Sequence, residues 1–267
     1  MNQNSNPYAA AQTGRPGTVG SRVHYFTEVA STQDLARELA RRGAGHGEVV
    51  VAERQTAGRG RLGRSWHSPA RVNFYGTFIL RPTIPLAQVA TLSLVAGVAV
   101  AQALETVAPK IVALKWPNDV WLNGRKVAGL IAEAVTDSNH QLTAVLLGIG
   151  INLNLAADDL PPDLRDKATS VLIATGSPCD RTAFAEALFS NLEARYSETM
   201  VHGFDPIREA WMKYSALTGR RVTVVDGAHR IGGVVVGIDY EGALLLDDNG
   251  VTNRILAGDV SIEGAYD

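Results

Sequence analysis

The sequence predicts an α+β protein in which a larger sheet-and-helix unit is followed by a small β-barrel. Two observations carry that expectation. Up to about residue 217, short strand-like apolar runs alternate with longer stretches of helical period. Beyond it, residues 219–262 hold four short apolar runs, RVTVV, IGGVVVGI, GALLL and TNRIL, separated by Asp-Gly, Tyr-Glu-Gly and Asp-Asn-Gly turn signals at the spacing of an SH3-sized barrel. The 267 residues, 46% of them hydrophobic, suffice for one medium core plus such a satellite. The expected division is a leader at 1–20, a main domain at 21–217 and the barrel at 218–267.

The opening residues, MNQNSNPYAAAQTGRPGTVG, are polar and rich in Gly, Pro, Asn and Ala; they read as a disordered leader and lack the apolar centre of a secretory signal. Ser31-Thr32-Gln33-Asp34 reads as a capping box opening a helix with Leu35, Ala36, Leu39 and Ala40 on one face, closed by Gly43 or Gly45. EVVVAE (48–53) and NFYGTFIL (73–80) are strand-like. Residues 85–107 have helical period, and their apolar part, 89–104, carries Thr, Ser and Gln and falls short of the roughly 20 residues of a membrane span. A core helix is expected there. IVALKW and DVWLNGRKVAGLIAEA follow, the latter with an Asn123-Gly124 hairpin signal. LTAVLLGIGINLN (142–154) is another strand, DDLPPDLRDKAT a loop, and residues 181–200 a helix with Phe184, Leu188, Leu192 and Tyr196 on one stripe, before a short helix at 206–214.

The single cysteine, Cys179, cannot form an internal disulfide, which fits a reducing cytoplasm; GSPCD reads as a surface turn without a nucleophile's surroundings. The net charge is only −2, yet residues 54–104 contain no acid while holding Arg54, Arg59, Arg61, Arg64, Arg71 and Arg81. Within that span GRGRLGRSW (58–66) sets three arginines among three glycines. Its Gly58, Gly60 and Gly63 match the spacing of a dinucleotide fingerprint, but that fingerprint opens a helix, whereas here RSWHSPARVN follows without helical period. Glycines let backbone N–H groups approach an anion, and guanidinium forks bind phosphate or carboxylate in bidentate fashion. The segment therefore reads as a flexible loop that closes over a polyanion such as ATP, with Trp66 either stacking on a base or simply packed.

Two further clusters carry chemistry. In LKWPNDVWLNGRKVAGLIAE (114–133), Pro117-Asn118-Asp119 forces an irregular turn, and Lys115 and Lys126 flank a hairpin. Lys126 taken alone reads as a surface lysine in a hairpin, but Val127-Ala128-Gly129 behind it allow a ligand close approach. In LLGIGINLN, Gly148, Gly150 and Asn152 alternate along one strand face, as for a flat ligand lying against it, or for a β-bulge.

Taken in order, Ser31-Thr32-Gln33, GRGRxGRxW, KWPND, RKVAGLIAE and GIGIN resemble the class I biotin protein ligases over roughly residues 22–262. The resemblance implies a mixed β-sheet with helices on one side, of the class II aminoacyl-tRNA synthetase-like type, followed by an SH3-like barrel. It also implies a two-step reaction in which biotin and MgATP give biotinyl-5'-AMP and pyrophosphate, and a lysine of a biotin carrier domain then takes the biotinyl group. Lys126, Arg61 and Asp119 would be catalytic, with Lys126 on the carboxylate and phosphate and Asp119 positioning or helping to deprotonate the incoming lysine. Ser31, Thr32, Gln33, Gln55, Gly58, Arg59, Lys126, Gly148 and Gly150 would bind biotin; Ser31, Thr32 and Gln55 match the residues on its ureido ring. Arg59, Arg61, Arg64, Trp66, Lys115, Asn118 and Asn152 would bind ATP and the adenylate; Mg2+ comes with ATP, and no resident metal site is implied.

Regulatory members begin with a winged helix-turn-helix of about sixty residues; only about twenty polar residues precede the catalytic part here, so no DNA binding is expected. No membrane contact is expected either, and a homodimer stays open. Glu263 stands where a well-known member has an ATP-holding arginine, which leaves a barrel role in ATP binding in question. A lipoate or octanoate transferase is the alternative within the superfamily, disfavoured by the arginine loop. A nucleic-acid binder using the arginine patch is disfavoured by a pI near 6.3.

Overall fold

The computed structural model describes residues 6–227 and 229–263. A seven-stranded mixed sheet forms the centre. Its strands are β1 (Val23–Phe26), β2 (Val49–Ala52), β3 (Phe74–Leu80), β4 (Val112–Lys115), β5 (Asp119–Leu122), β6 (Arg125–Thr136) and β7 (Leu142–Ile151), in the order β1-β2-β3-β7-β6-β5-β4. Only β1 and β2 pair in parallel; every other pair is antiparallel. The helices are α1 (Thr32–Arg41), α2 (Thr91–Glu105), α3 (Val171–Thr175), α4 (Arg181–His202) and α5 (Asp205–Tyr214).

Strand periodicity decides what each sheet face covers. Val49, Val51, Phe78, Leu80, Val145 and Leu147 point to the main core with α2, α4 and α5, whereas Val50, Ile79, Ala144 and Leu146 pack with Ala36 and Ala40 of α1 on the other face. Three helices thus lie on one side as expected, and α1 departs from that arrangement by covering part of the opposite side. The stretch Leu86–Glu105 is long and apolar enough to cross a membrane by composition alone. It is instead the core helix: every residue of α2 except Gln102 and Glu105 is buried.

The second unit is a five-stranded antiparallel sheet, β11-β10-β9-β8-β12, built from β8 (Arg221–Asp226), β9 (His229–Ile238), β10 (Leu244–Asp248), β11 (Val251–Ile255) and β12 (Asp259–Ile262). The four apolar runs become β8 to β11. The fifth strand, β12, was hidden because DVSI contains only two apolar residues. The barrel is tied to the main sheet's edge: buried Trp116 donates its indole N–H to the Gly242 carbonyl (2.9 Å).

The expected disordered leader is corrected over its described part. Residues 1–5 lie outside the described residues, but Tyr8, Ala11 and Val19 are buried in the main core. Tyr8 lies edge-on to Phe74 (5.7 Å between ring centroids), and its hydroxyl accepts from Arg181 Nη1 (3.2 Å). Arg181 also pairs with buried Glu53 (2.7 Å) and donates to the Asn73 carbonyl (3.2 Å). Val19 N–H donates to Glu193 on α4 (2.7 Å), and the chain passes so close over Gly47 that a Cβ there would lie 1.8 Å from the Thr18 carbonyl oxygen. GSPCD runs along the surface as expected, but Cys179 within it is buried: its N–H bonds Asn154 Oδ1 (2.7 Å), and burial pushes its thiol up to about 11, away from nucleophilic use.

Because the Tyr8 ring fills a fully buried site and closes the Arg181 cluster, Tyr8→Ala is expected to cost about 3 kcal/mol, the range of large aromatic truncations. Urea unfolding checks this; an unchanged midpoint would show that the segment is held only loosely.

Candidate functional site

The sheet face that α1 shares is not covered along its whole length, and the site begins where α1 does. Ser31 caps the helix, its hydroxyl accepting from Gln33 N–H (3.2 Å). The first turn therefore meets the sheet with its positive dipole end and with Thr32 and Gln33 buried against β3 and β7. Gln55 Oε1 accepts from the N–H (2.9 Å) and hydroxyl (3.1 Å) of Thr32. Thr77 on β3 lies within hydrogen-bond distance of the Thr32 hydroxyl (2.9 Å) and Gln33 Oε1 (3.0 Å). This neutral polar cluster forms one end of a small inner pocket, whose floor is Gly148, Gly150 and Gly129.

The floor is flat because these residues pair across β6 and β7: Gly129 faces Gly150, and Gly148 faces Ile131. Side chains come down onto the bare backbone. A Cβ on Gly150 would lie 2.7 Å from Trp66 Nε1, and one on Gly148 would lie 2.7 Å from Gln33 Oε1. Trp66 lies against this floor with its buried indole N–H unpartnered among the described residues, and Lys126 Nζ sits 5.5 Å from the centre of its ring.

Lys126 and Trp66, with Gly60, Arg61 and Asn118, also border a second, outer pocket. Arg64, Lys115, Asp119, Asn152 and Lys167 line it from the main domain, and Asp259, Val260 and Ser261 from the barrel. Lys126 Nζ lies 2.6 Å from the buried Asp119 Oδ1, an ion-pair distance off the line of a hydrogen bond. Its strand is pinned on both sides of the residue, Lys126 N–H donating to the Lys167 carbonyl (2.9 Å) and Thr169 N–H to the Lys126 carbonyl (2.8 Å). Lys115 lies over the Trp121 ring (5.0 Å), and burial lowers its pKa, partly opposed by the nearby Asp119 carboxylate.

The arginine loop is a small hairpin with defined partners. Gly60 N–H bonds the Arg64 carbonyl (2.7 Å) and Trp66 N–H the Gly58 carbonyl (2.9 Å), with Leu62 and Gly63 at positive φ at the tip. Arg61 donates to Asn118 Oδ1 (2.9 Å), Arg59 pairs with Asp34 and lies 3.5 Å from Glu133, and Arg64 pairs with Asp259. The loop contains one 3-10 turn and no α-helix, in keeping with rejection of the dinucleotide fingerprint.

The sequence-derived residues thus gather around two contiguous pockets, with one exception. Gly58 borders neither; it is buried under the loop, where a Cβ would strike the Trp66 carbonyl and the Ser68 hydroxyl. Asn152 borders the outer pocket, but its side chain is held by Asn73 (3.3 Å) and the Thr169 carbonyl (3.0 Å). Thr77, Lys167 and Asp259 were missed. Thr77 left one signal, a polar residue inside a strand that is otherwise apolar. Glu263, whose position raised the question of the barrel, bonds Thr223 (3.2 Å), and it is Asp259 to Ser261 that border the pocket.

A model of the biotin/lipoate A/B protein ligase family matches residues 25–152, and one of the biotin protein ligase C terminal domain matches 217–262. The chain is 39% identical to the bifunctional ligase/repressor BirA of Bacillus subtilis, over 91% of this chain and 75% of that protein. It is 37% identical to the biotin–[acetyl-CoA-carboxylase] ligase of Mycobacterium tuberculosis, over 90% of each. Among solved structures, the biotin protein ligase of Aquifex aeolicus in complex with biotin and ATP superposes with a TM-score of 0.79 at 31% identity, covering 91% of this chain and 98% of that one. The Leishmania major enzyme in complex with biotinyl-5-AMP gives 0.60 at 26% identity, covering 91% and 99%. The matches span both units: the chain belongs to the biotin/lipoate A/B protein ligase family and, within it, to the biotin protein ligases.

Proposed function

We propose that this protein joins biotin to a lysine of a biotin carrier protein, such as the carrier subunit of acetyl-CoA carboxylase, through biotinyl-5'-AMP. The carrying observation is that an inner pocket with a neutral polar end meets a cationic outer pocket at Lys126. Biotin is a neutral cyclic urea joined through an apolar chain to a carboxylate. The Thr32, Gln33, Gln55 and Thr77 cluster offers neutral donors and acceptors to the urea, the glycine floor offers close approach, and the chain then leads the carboxylate to Lys126. The outer pocket, with Arg61, Arg64, Lys115, Lys126 and Lys167, suits a triphosphate.

In the first step a carboxylate oxygen of biotin attacks the α-phosphorus, the bond to the β-phosphate oxygen breaks, and pyrophosphate leaves. Two anions must meet, so a fixed cation where they converge is the main requirement. Lys126, with its backbone pinned and its ammonium beside Asp119, meets it without reorganising. In the second step the acceptor amine attacks the acyl carbon, AMP leaves, and the amine proton needs a base. Asp119, bordering the outer pocket, stands nearest to that task. Mg2+ is part of the same proposal. Among the described residues no group of three or more His, Cys, Asp or Glu side chains could hold a metal, and the pocket carboxylates Asp119 and Asp259 already face Lys126 and Arg64. That donor set fits an ion carried by the triphosphate with phosphate and water ligands. A cytoplasmic setting is supported by the single buried cysteine, and action without DNA contact by the pairing of the loop arginines within the site.

Pyrophosphate release with MgATP and either biotin or lipoate tests the substrate class; release with lipoate in preference to biotin would overturn it. Lys126→Gln is expected to lower biotin-dependent release by about 10²- to 10³-fold, the scale of a lost transition-state donor, with the fold retained by circular dichroism. Asp119→Asn should slow single-turnover transfer from preformed adenylate more than adenylation, and equal losses in both steps would argue against its role as base. Gly148→Ala, whose methyl would press on Gln33 and Ile131, should raise KM for biotin about tenfold, from roughly 1–3 kcal/mol of overpacking, while leaving KM for ATP near wild type.

A further inference from the structure

The loop at 58–66 is fastened on three sides. Arg59 reaches Asp34 of α1 and Glu133 of β6, and Arg61 reaches Asn118 in the turn before β5. Both attachments lie within the main domain. The third is different: Arg64 pairs with Asp259, the first residue of β12, and this is the loop's one ion pair with the barrel among the described residues. Asp259 is held in place by strand pairing with Val225 of β8, and it borders the outer pocket that Arg64 and Trp66 also line.

We infer that Asp259 is a positioning residue for retention of the reaction intermediate: from the barrel its carboxylate holds Arg64, and with it the Trp66 end of the loop, down over the outer pocket. The inference rests on the ligase reading above. A triphosphate carries more charge than a carboxylate and competes for the Arg64 fork during adenylation. Once pyrophosphate leaves, that competitor is gone. The two carboxylates bordering the pocket are then not equivalent, because Asp119 faces Lys126 and Asp259 faces Arg64. The loop stays down on biotinyl-AMP because the barrel supplies the anion that pyrophosphate took away. Retention matters chemically, since a free mixed anhydride acylates any accessible amine. The pair is partly exposed, at 67% and 40% for the two side chains, so its contribution is that of a surface ion pair rather than a buried one.

The test is the dissociation rate of preformed biotinyl-AMP, followed by competition with excess biotin, for the wild type, Asp259→Asn, Arg64→Gln and the double variant. Each single variant is expected to release the adenylate about two- to fivefold faster, the range an exposed ion pair supports, and the double variant no faster than the faster single. The difference between wild type and Asp259→Asn should shrink at 0.5 M salt, where such a pair is screened, and labelling of a bystander protein should rise in parallel with release. Wild-type release from Asp259→Asn, or single effects that multiply in the double variant, would overturn the latch. Failure of the wild type to bind biotinyl-AMP at all would instead overturn the ligase reading, so the two failures are distinguishable.

Discussion

The close approach of side chains to bare backbone on β6 and β7 is what the rest of the site depends on. Gly129 opposite Gly150, and Gly148 opposite Ile131, keep one sheet face low enough for Trp66 and Gln33 to reach it. The face can be spared because the other one carries the main core, with α2 buried almost all round. An open sheet with one heavily packed side can devote part of its second side to a ligand without losing its principal source of stability. Helix α1 completes the arrangement by covering only the end of that face and presenting its capped first turn to the remainder.

Charge is organised around the same junction. The loop brings three arginines, yet each has a partner belonging to a different element: Asp34 on α1, Asn118 in the turn before β5, and Asp259 on the barrel. Arginine-rich loops left without partners would repel one another and stay open. Here the loop is shaped by charges distributed over the scaffold, while Lys126, beside the loop's Trp66 ring, is paired with Asp119. The barrel is accordingly part of the site, through residues 259–261 rather than through position 263.

Residues 6–20 serve the fold in a manner their composition conceals. A polar, glycine-containing stretch offers Arg181, the partner of Glu53, a further acceptor in the Tyr8 hydroxyl and closes over Phe74. Cys179 is another instance of the same effect. GSPCD has the composition of a turn, but Asn154 bonds its backbone on both sides and draws the thiol inward. In both places one long-range contact outweighs local propensity.

What the sequence determined by itself is the set of elements whose signal is local. Strand alternation, helical period, the Asn123-Gly124 turn and the spaced turn signals of the barrel each depend on neighbours in the chain, and each element formed close to where it was expected. Lys126, Arg59, Arg61, Arg64, Gly148 and Gly150 were legible for the same reason, since their motifs are short and contiguous. Tertiary structure alone decided which distant residues complete the site. Thr77, Lys167 and Asp259 carry no motif and gain their positions from strand register and from the seating of the barrel through Trp116 and Gly242. Gly58 and Asn152 show the converse: motif membership placed them near the pockets, but packing under the loop and hydrogen bonds to Asn73 and Thr169 fixed what they touch. Sequence patterns encode period and turn chemistry, whereas the partner of a buried polar group or an ion pair is set by contacts between residues far apart in the chain, as Arg64 and Asp259 are.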